Sequence, residues 1–310
     1  MLFLAAGLIC LLLLFTHPAA AASGCSKGLL LWYSAVLPSL LPFLILSSIL
    51  IRTGLFKYLN RLYAPCLCRI FRISENGCYA VILGFLCGFP MGAKVIADLV
   101  REKCIPAEEG SYLLGFCNNV SPAFFLNYVC LLKLGYASVP WPLVCLFYGL
   151  PLLYGLVSRP FYCFSPDPDA AQKQTSLHRL DFPMLDACIM DSFMTITRLG
   201  GYIMLFTIFI EFLYIFPLPP AIQILLSAVM EISSGTAALA ALPYPEPLRT
   251  LLVCSCAAFG GLCICAQTQS VLEGTPLCVV TWLRGRLILA LLLPLLLHLL
   301  SGAPVLHGCW

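Results

Sequence analysis

Long apolar runs separated by short polar connections are the main pattern of the sequence. The first run extends from Leu2 to about Ala22, and the second occupies residues 28–53 and contains Pro38 and Pro42. Later runs occupy residues 77–104, 109–133, 139–157, 192–216, 220–242, 249–271 and 284–300. Because a transmembrane helix needs about 20 mostly apolar residues, the pattern predicts an all-α polytopic membrane protein.

The composition supports this fold class. Only 10% of the 310 residues are charged, 61% are apolar, and the mean hydropathy is +0.97. Soluble chains carry about 25% charged residues, so water-soluble folds are excluded. The first run resembles a signal peptide at its alanine-rich end, but no basic segment precedes it. We therefore expect a retained transmembrane helix over residues 1–23.

Basic residues set the predicted topology, because they concentrate on the cytoplasmic side of a membrane. The connection after the second run is basic and should be cytoplasmic, as should Arg101, Lys103 and the polar linker 159–190. All of these segments share one side only if residues 77–104 turn back at Gly88–Gly92. The charge pattern therefore favours a re-entrant hairpin there. The same argument, applied to Arg284 and Arg286, favours a second hairpin at 220–242.

The two halves of the chain show the same order of elements in opposite orientation. Each half has a span, a hairpin, a span interrupted by polar or glycine residues, and a final span. The first half is predicted to cover residues 24–158 and the second residues 191–310. This order is typical of an inverted-topology repeat, in which the paired interruptions form a substrate site near the membrane midplane.

The first predicted hairpin contains a candidate anion site. A helix that begins after Gly88-Phe89-Pro90 would present free amides around Gly92 and Ala93, and helix N-termini attract anions. Lys94 lies one turn further on. It would either bind a substrate carboxylate or pair with Asp98, four residues later.

Polar residues in the other interruptions complete the candidate site. Asn118, Asn119 and Ser121 either line the substrate or join neighbouring helices. Glu231 is the candidate for a coupling cation or proton, with capping of a helix as its alternative. The second half also offers Ser233, Ser234, Gln267, Thr268 and Gln269. We expect Lys94 and the asparagines to face this second set.

Enzyme and nucleic-acid signatures are absent from the sequence. It has no G-x-S-x-G, H-E-x-x-H or Walker motif, and no basic aromatic patch. The 18 cysteines include three C-x-C pairs but no metal-ligand or disulfide pattern. We expect no catalytic residue, no metal site, no cofactor and no nucleic-acid partner. The expected partners are the lipid bilayer, a small anionic substrate and a second copy of the chain.

Several motifs resemble those of a known family. They occur in the order GFPMGAK, FCNNVSP, MEISSGTAAL, FGGLCICAQTQSVL and WLRGRL, and together they resemble the sporulation integral membrane protein YlbJ family of endospore-forming Firmicutes. The resemblance covers nearly the whole chain from about Gly24. It implies the nucleoside-recognition, or Gate, membrane fold, which is related to concentrative nucleoside transporters.

The resemblance also implies a function. It implies transport of dipicolinate, a small aromatic dianion, from the mother cell across the outer forespore membrane during sporulation. Two alternatives remain open. The chain would carry another small solute, such as a nucleoside or a metal ion, or it would be a non-transporting scaffold for assembly of the spore envelope.

Overall fold

The computed structural model describes residues 2–164 and 180–301. The secondary structure in those ranges is helical and contains no strand. The first half contains α1 (Leu2–Thr16), α2 (Pro18–Leu31), α3 (Leu37–Thr53), α4 (Phe56–Phe71), α5 (Glu75–Cys87), α6 (Met91–Arg101), α7 (Ala107–Cys117) and α8 (Trp141–Ser158). Two π-helical segments, Trp32–Val36 and Phe124–Lys133, and the 3-10 turn Arg159–Phe161 complete it. The second half contains α9 (Phe182–Leu213), α10 (Pro220–Met230), α11 (Ile232–Ala240), α12 (Glu246–Phe259), α13 (Gly261–Leu272) and α14 (Val279–Ser301).

Four helical stretches of the described chain are long and apolar enough to cross a membrane. They are Trp141–Phe161, Phe182–Leu213, Glu246–Leu272 and Val279–Leu299. A fifth candidate is the pair Asn60–Phe71 and Glu75–Cys87, which is bent by 97°. The chain is therefore an all-α polytopic membrane protein, as its sequence predicts. Other apolar runs, such as 28–53 and 109–133, are divided into shorter helices.

Two helical hairpins stand at the predicted positions. The arms α5 and α6 pack against each other, and so do α10 and α11. Glycines allow this closeness, because a Cβ atom at Gly92 would lie 3.0 Å from the Cα atom of Gly84 and one at Gly235 would overlap the Cα atom of Ala228. Whether the hairpins re-enter a bilayer stays a prediction.

Each half contributes a broken helix that packs against the hairpin of the other half. In the first half, α7 ends at Cys117 and the π-helical segment begins at Phe124. In the second half, Gly260 (φ +86°) separates α12 from α13. Helix α6 packs against α13, and α11 packs against the π-helical segment Phe124–Lys133. This exchange supports the predicted inverted repeat, whose domain bounds stay a prediction.

Several predicted boundaries need correction. The helix expected over residues 1–23 ends at Thr16, because Pro18 disfavours helical geometry at the preceding residue, and His17 has φ −129° and ψ 59°. The second hairpin breaks at Glu231, not at residues 233–235. The last helix begins at Val279, ahead of the predicted residue 284.

The polar linker predicted for residues 159–190 is partly helical. Its first residues form the 3-10 turn, and α9 already begins at Phe182. Residues 165–179 of this linker lie outside the described part of the chain. The basic connection after α3 is also a helix, α4, which turns sharply away from α5.

A G-x-x-x-G pair joins the N-terminal helices to the second half. Cβ atoms at Gly24 and Gly28 would lie 2.6 Å from the Cα atom of Ile208 and 2.7 Å from that of Met204, so α2 and α9 touch through their backbones. The Thr207 hydroxyl donates a hydrogen bond of 2.8 Å to the carbonyl of Gly24. Sequence analysis missed this contact, although the glycine spacing was a usable signal.

Candidate functional site

An apolar cavity of about 390 Å³ lies between the tips of the two hairpins. Leu86, Cys87 and Phe89 of the first tip and Glu231, Ile232 and Ser233 of the second tip form part of its wall. The broken helices contribute residues from 120 to 128 and also Ile264 and Gln267, while α3 and α9 close its sides. A cavity bordered by both hairpins and both broken helices is the arrangement that the repeat predicts for a substrate site.

Four of the sequence-predicted site residues line this cavity: Ser121, Glu231, Ser233 and Gln267. Glu231 is also the cap of α11, because its two carboxylate oxygens accept hydrogen bonds of 2.9 and 2.7 Å from the amides of Ser233 and Ser234. The extended backbone at Glu231 (φ −145°, ψ 130°) places its side chain over these amides. The capping alternative is thus observed, and the coupling role stays a prediction.

The other three predicted site residues that line the cavity, Ser121, Ser233 and Gln267, are neutral. Gln267 is buried and donates a hydrogen bond of 3.2 Å from Nε2 to the Sγ atom of Cys263. The Ser121 hydroxyl accepts a hydrogen bond of 3.2 Å from the amide of Phe124, where the π-helical segment begins. Apart from Glu231, the cavity wall therefore carries no charged side chain among the described residues.

The amides at the start of α6 are not free, so the predicted anion cradle there is wrong. The amides of Met91 and Gly92 bond to the carbonyl of Gly88, at 2.8 and 3.4 Å, and the amide of Lys94 bonds to the carbonyl of Pro90 at 3.0 Å. The amide of Ala93 donates to Oδ1 of Asn118 at 3.3 Å. The acceptors are carbonyls of the turn before α6 and the Asn118 side chain after α7, and the sequence of α6 alone does not predict them.

Lys94 lies in a second cavity, of about 270 Å³, with a charged lining. Its buried ammonium group donates to Asp98 and to Asp191, both at 2.9 Å. Asp98 also accepts from Arg101 at 2.8 Å. The structural alternative for Lys94, pairing with Asp98, is observed. Sequence analysis missed Asp191, whose signal was an acidic residue within an apolar helix.

The charged cavity is balanced in sign. Its lining carries four basic side chains, Arg52, Lys94, Arg101 and Arg198, and four acidic ones, Asp98, Glu102, Asp191 and Glu273. Lys94 lines this charged cavity and not the apolar cavity that Glu231 and Gln267 line. The predicted single site divides into two cavities, and only the charged one is lined by residues of α6.

Asn118 lines neither cavity and joins three elements in the interior of the protein. Its side chain accepts from the amide of Ala93 and donates to Oγ1 of Thr268 at 3.2 Å, and its carbonyl accepts from Nε1 of Trp282 at 3.2 Å. Asn118 and Thr268 are fully buried. This bridge matches the helix-joining alternative, and a role in substrate binding stays a prediction.

The remaining predicted site residues have different environments. Asn119 donates from Nδ2 to the carbonyl of Phe116 at 2.6 Å, while its buried Oδ1 atom has no partner. Gln269 is exposed on α13, on the opposite side from the cavity-lining Gln267. Ser234 contributes its amide to the Glu231 cap but does not line the cavity.

Cation-binding clusters are absent from the described residues: no group of three or more His, Cys, Asp or Glu side chains is arranged to hold a metal ion. The cysteines in residues 2–164 and 180–301 are free thiols. The candidate site therefore consists of the apolar cavity, which has one carboxylate in its described wall, and a separate network of paired charges around Lys94.

Comparison with known proteins adds the family. The chain is 28% identical over 296 residues, which cover 84% of this chain and 72% of the relative, to the sporulation integral membrane protein YlbJ of Bacillus subtilis (strain 168). This similarity confirms the resemblance to the YlbJ family. No protein-family model matches the chain, and no solved structure matches it. The chain is thus an integral membrane protein similar to YlbJ.

Proposed function

We propose that this chain is a membrane transporter, not an enzyme, that moves dipicolinate from the mother cell toward the forespore through the outer forespore membrane. The observation that carries the proposal is the apolar cavity between the two hairpin tips. A scaffold would need only packed helices, whereas this cavity of about 390 Å³ is large enough for a small solute.

The cavity wall suits a planar aromatic solute. Phe43, Phe89, Phe124 and Tyr128 contribute aromatic rings to it, and such rings favour stacked or edge-on contacts with another ring. Gln267 and Ser121 provide polar groups that can orient the solute. Similarity to a sporulation membrane protein supports the cellular setting.

A second candidate solute is an uncharged one, such as a nucleoside. The specific observation that favours it is Glu231, the one charged side chain that the described lining of the apolar cavity contains. A carboxylate would repel a dianion but could accept hydrogen bonds from sugar hydroxyls. The two candidates therefore differ in the charge that the cavity must accept.

Uptake into proteoliposomes tests the proposal. The purified chain is reconstituted, and the entry of radiolabelled dipicolinate and of radiolabelled uridine is compared with entry into protein-free vesicles. We expect protein-dependent dipicolinate uptake, together with a low dipicolinate content in spores that lack the chain. Uptake of uridine alone would support the second candidate. If neither solute entered the vesicles and spores lacking the chain had a normal dipicolinate content, the scaffold function would be the remaining explanation.

A further inference from the structure

Arg286, on α14, is a buried arginine, and two of the three nitrogens of its guanidinium group have no hydrogen-bond partner. Its side chain is 2% exposed, and neither Nε nor Nη2 has a hydrogen-bond partner. The ion pairs found among the described residues do not include it. Its guanidinium group contacts the ring of Phe89, whose centroid lies 5.8 Å from Cζ.

This environment is unfavourable for a cation. A charge removed from water costs several kcal/mol unless a counter-charge compensates it. The titratable groups that interact electrostatically with Arg286 are a thiol, Cys117, and a phenol, Tyr154, and neither is a carboxylate. Arg284, two residues earlier, shows the ordinary situation, because it is exposed and donates to the hydroxyl of Tyr162 at 3.2 Å.

The guanidinium lies behind the wall of the apolar cavity. Phe89 lines that cavity, and its ring contacts Arg286. Trp282, one helical turn before Arg286, packs edge-on against the same ring with centroids 5.8 Å apart. The Phe89 ring at the hairpin tip thus belongs to the cavity wall and also contacts the Arg286 guanidinium.

We propose that Arg286 is the anion-binding residue of the solute site and that the Phe89 ring moves aside to let a carboxylate of the solute reach it. The planar guanidinium matches a carboxylate through two parallel hydrogen bonds. The proposed ligand is a small aromatic carboxylate, held by the apolar wall at its ring and by Arg286 at its charge. This inference rests on the proposed solute site, to which it adds the missing positive charge.

Equilibrium binding tests the proposal. The full chain in lipid nanodiscs is titrated calorimetrically with dipicolinate and with benzoate, which carries one carboxylate. We expect Arg286→Met to weaken binding of these anions by about tenfold to a hundredfold, the range for loss of one charged hydrogen bond. Arg286→Lys, which keeps the charge but not the fork, should lie between this variant and the wild type. The matched control Arg284→Gln removes a charge from the same helix and should bind as the wild type does.

Thermal unfolding without ligand separates this role from a structural one. Because the charge is unpaired in the ligand-free protein, Arg286→Met should unfold at the wild-type temperature or above it. If the wild type bound benzoate but neither bound nor transported dipicolinate, the role of Arg286 would stand and the proposed function would fail. Equal anion affinity in Arg286→Met and the wild type, no anion binding by the wild type, or lost stability in both Arg286 variants would overturn the proposal.

Discussion

The ion-pair network of Lys94 gives the sharpest prediction about what stabilises this protein. Lys94→Met keeps the length and apolar stem of the side chain but removes the ammonium group. That group bonds to Asp98 and Asp191, both at 2.9 Å. The substitution therefore leaves Asp98 with its bond to Arg101 and removes the lysine partner of Asp191.

The expected cost follows from how far each carboxylate is exposed. The Lys94 and Asp98 side chains are 8% and 16% exposed, so their bond should contribute about 1.5–3 kcal/mol. The Asp191 side chain is 37% exposed, so screening by solvent limits its bond to about 0.2–1 kcal/mol. Lys94→Met should lower the free energy of unfolding by about 2–4 kcal/mol.

Reversible unfolding in mixed micelles, followed by circular dichroism, measures this free energy. Lys27→Met is the matched control, because it also removes a lysine paired with a carboxylate, Glu211, at 2.6 Å. The Lys27 side chain is 63% exposed, so this control should lose less than about 1 kcal/mol. The reasoning would be refuted if both variants lost the same free energy, since burial would then not decide the strength of the pair.

Three further predictions address topology, the second hairpin and its cap. Lys103 is exposed between α6 and α7. In the variant Lys103→Cys, a membrane-impermeant thiol reagent should label this position only from the cytoplasmic side. Labelling from the outside alone would contradict the predicted re-entrant hairpin. Glu231→Gln keeps one acceptor for the two amides at the start of α11, so it should lower the free energy of unfolding by about 1 kcal/mol or less. The same variant should change the pH dependence of uptake. An unchanged pH dependence would mean that Glu231 acts only as a helix cap. Gly235→Ala should lower the unfolding temperature because its Cβ atom would overlap Ala228, whereas the control Gly201→Ala meets nothing within 4 Å.

The sequence by itself determined the class of the protein and three of the places where its helices break. Low charge and long apolar runs leave only a helical membrane protein, since a bilayer requires backbone groups to bond within the chain. Breaks at Gly88 (φ +83°), after Cys117 and at Gly260 (φ +86°) follow from residues that favour turns or positive φ angles. These features depend on local chemistry, and local chemistry can be read from a window of residues.

Only the tertiary structure decided which polar groups meet. Asp191 is 97 residues from Lys94 along the chain, and the rotation of α6 and α9 about their own axes brings the two together. In the same way, the orientation of α13 turns Gln267 into the cavity and Gln269 away from it, and the orientation of α14 leaves Arg286 facing the Phe89 ring instead of a carboxylate. Neighbouring residues on a helix point in directions about 100° apart, so helix packing, which the sequence pattern does not specify, selects the residues that form each cavity.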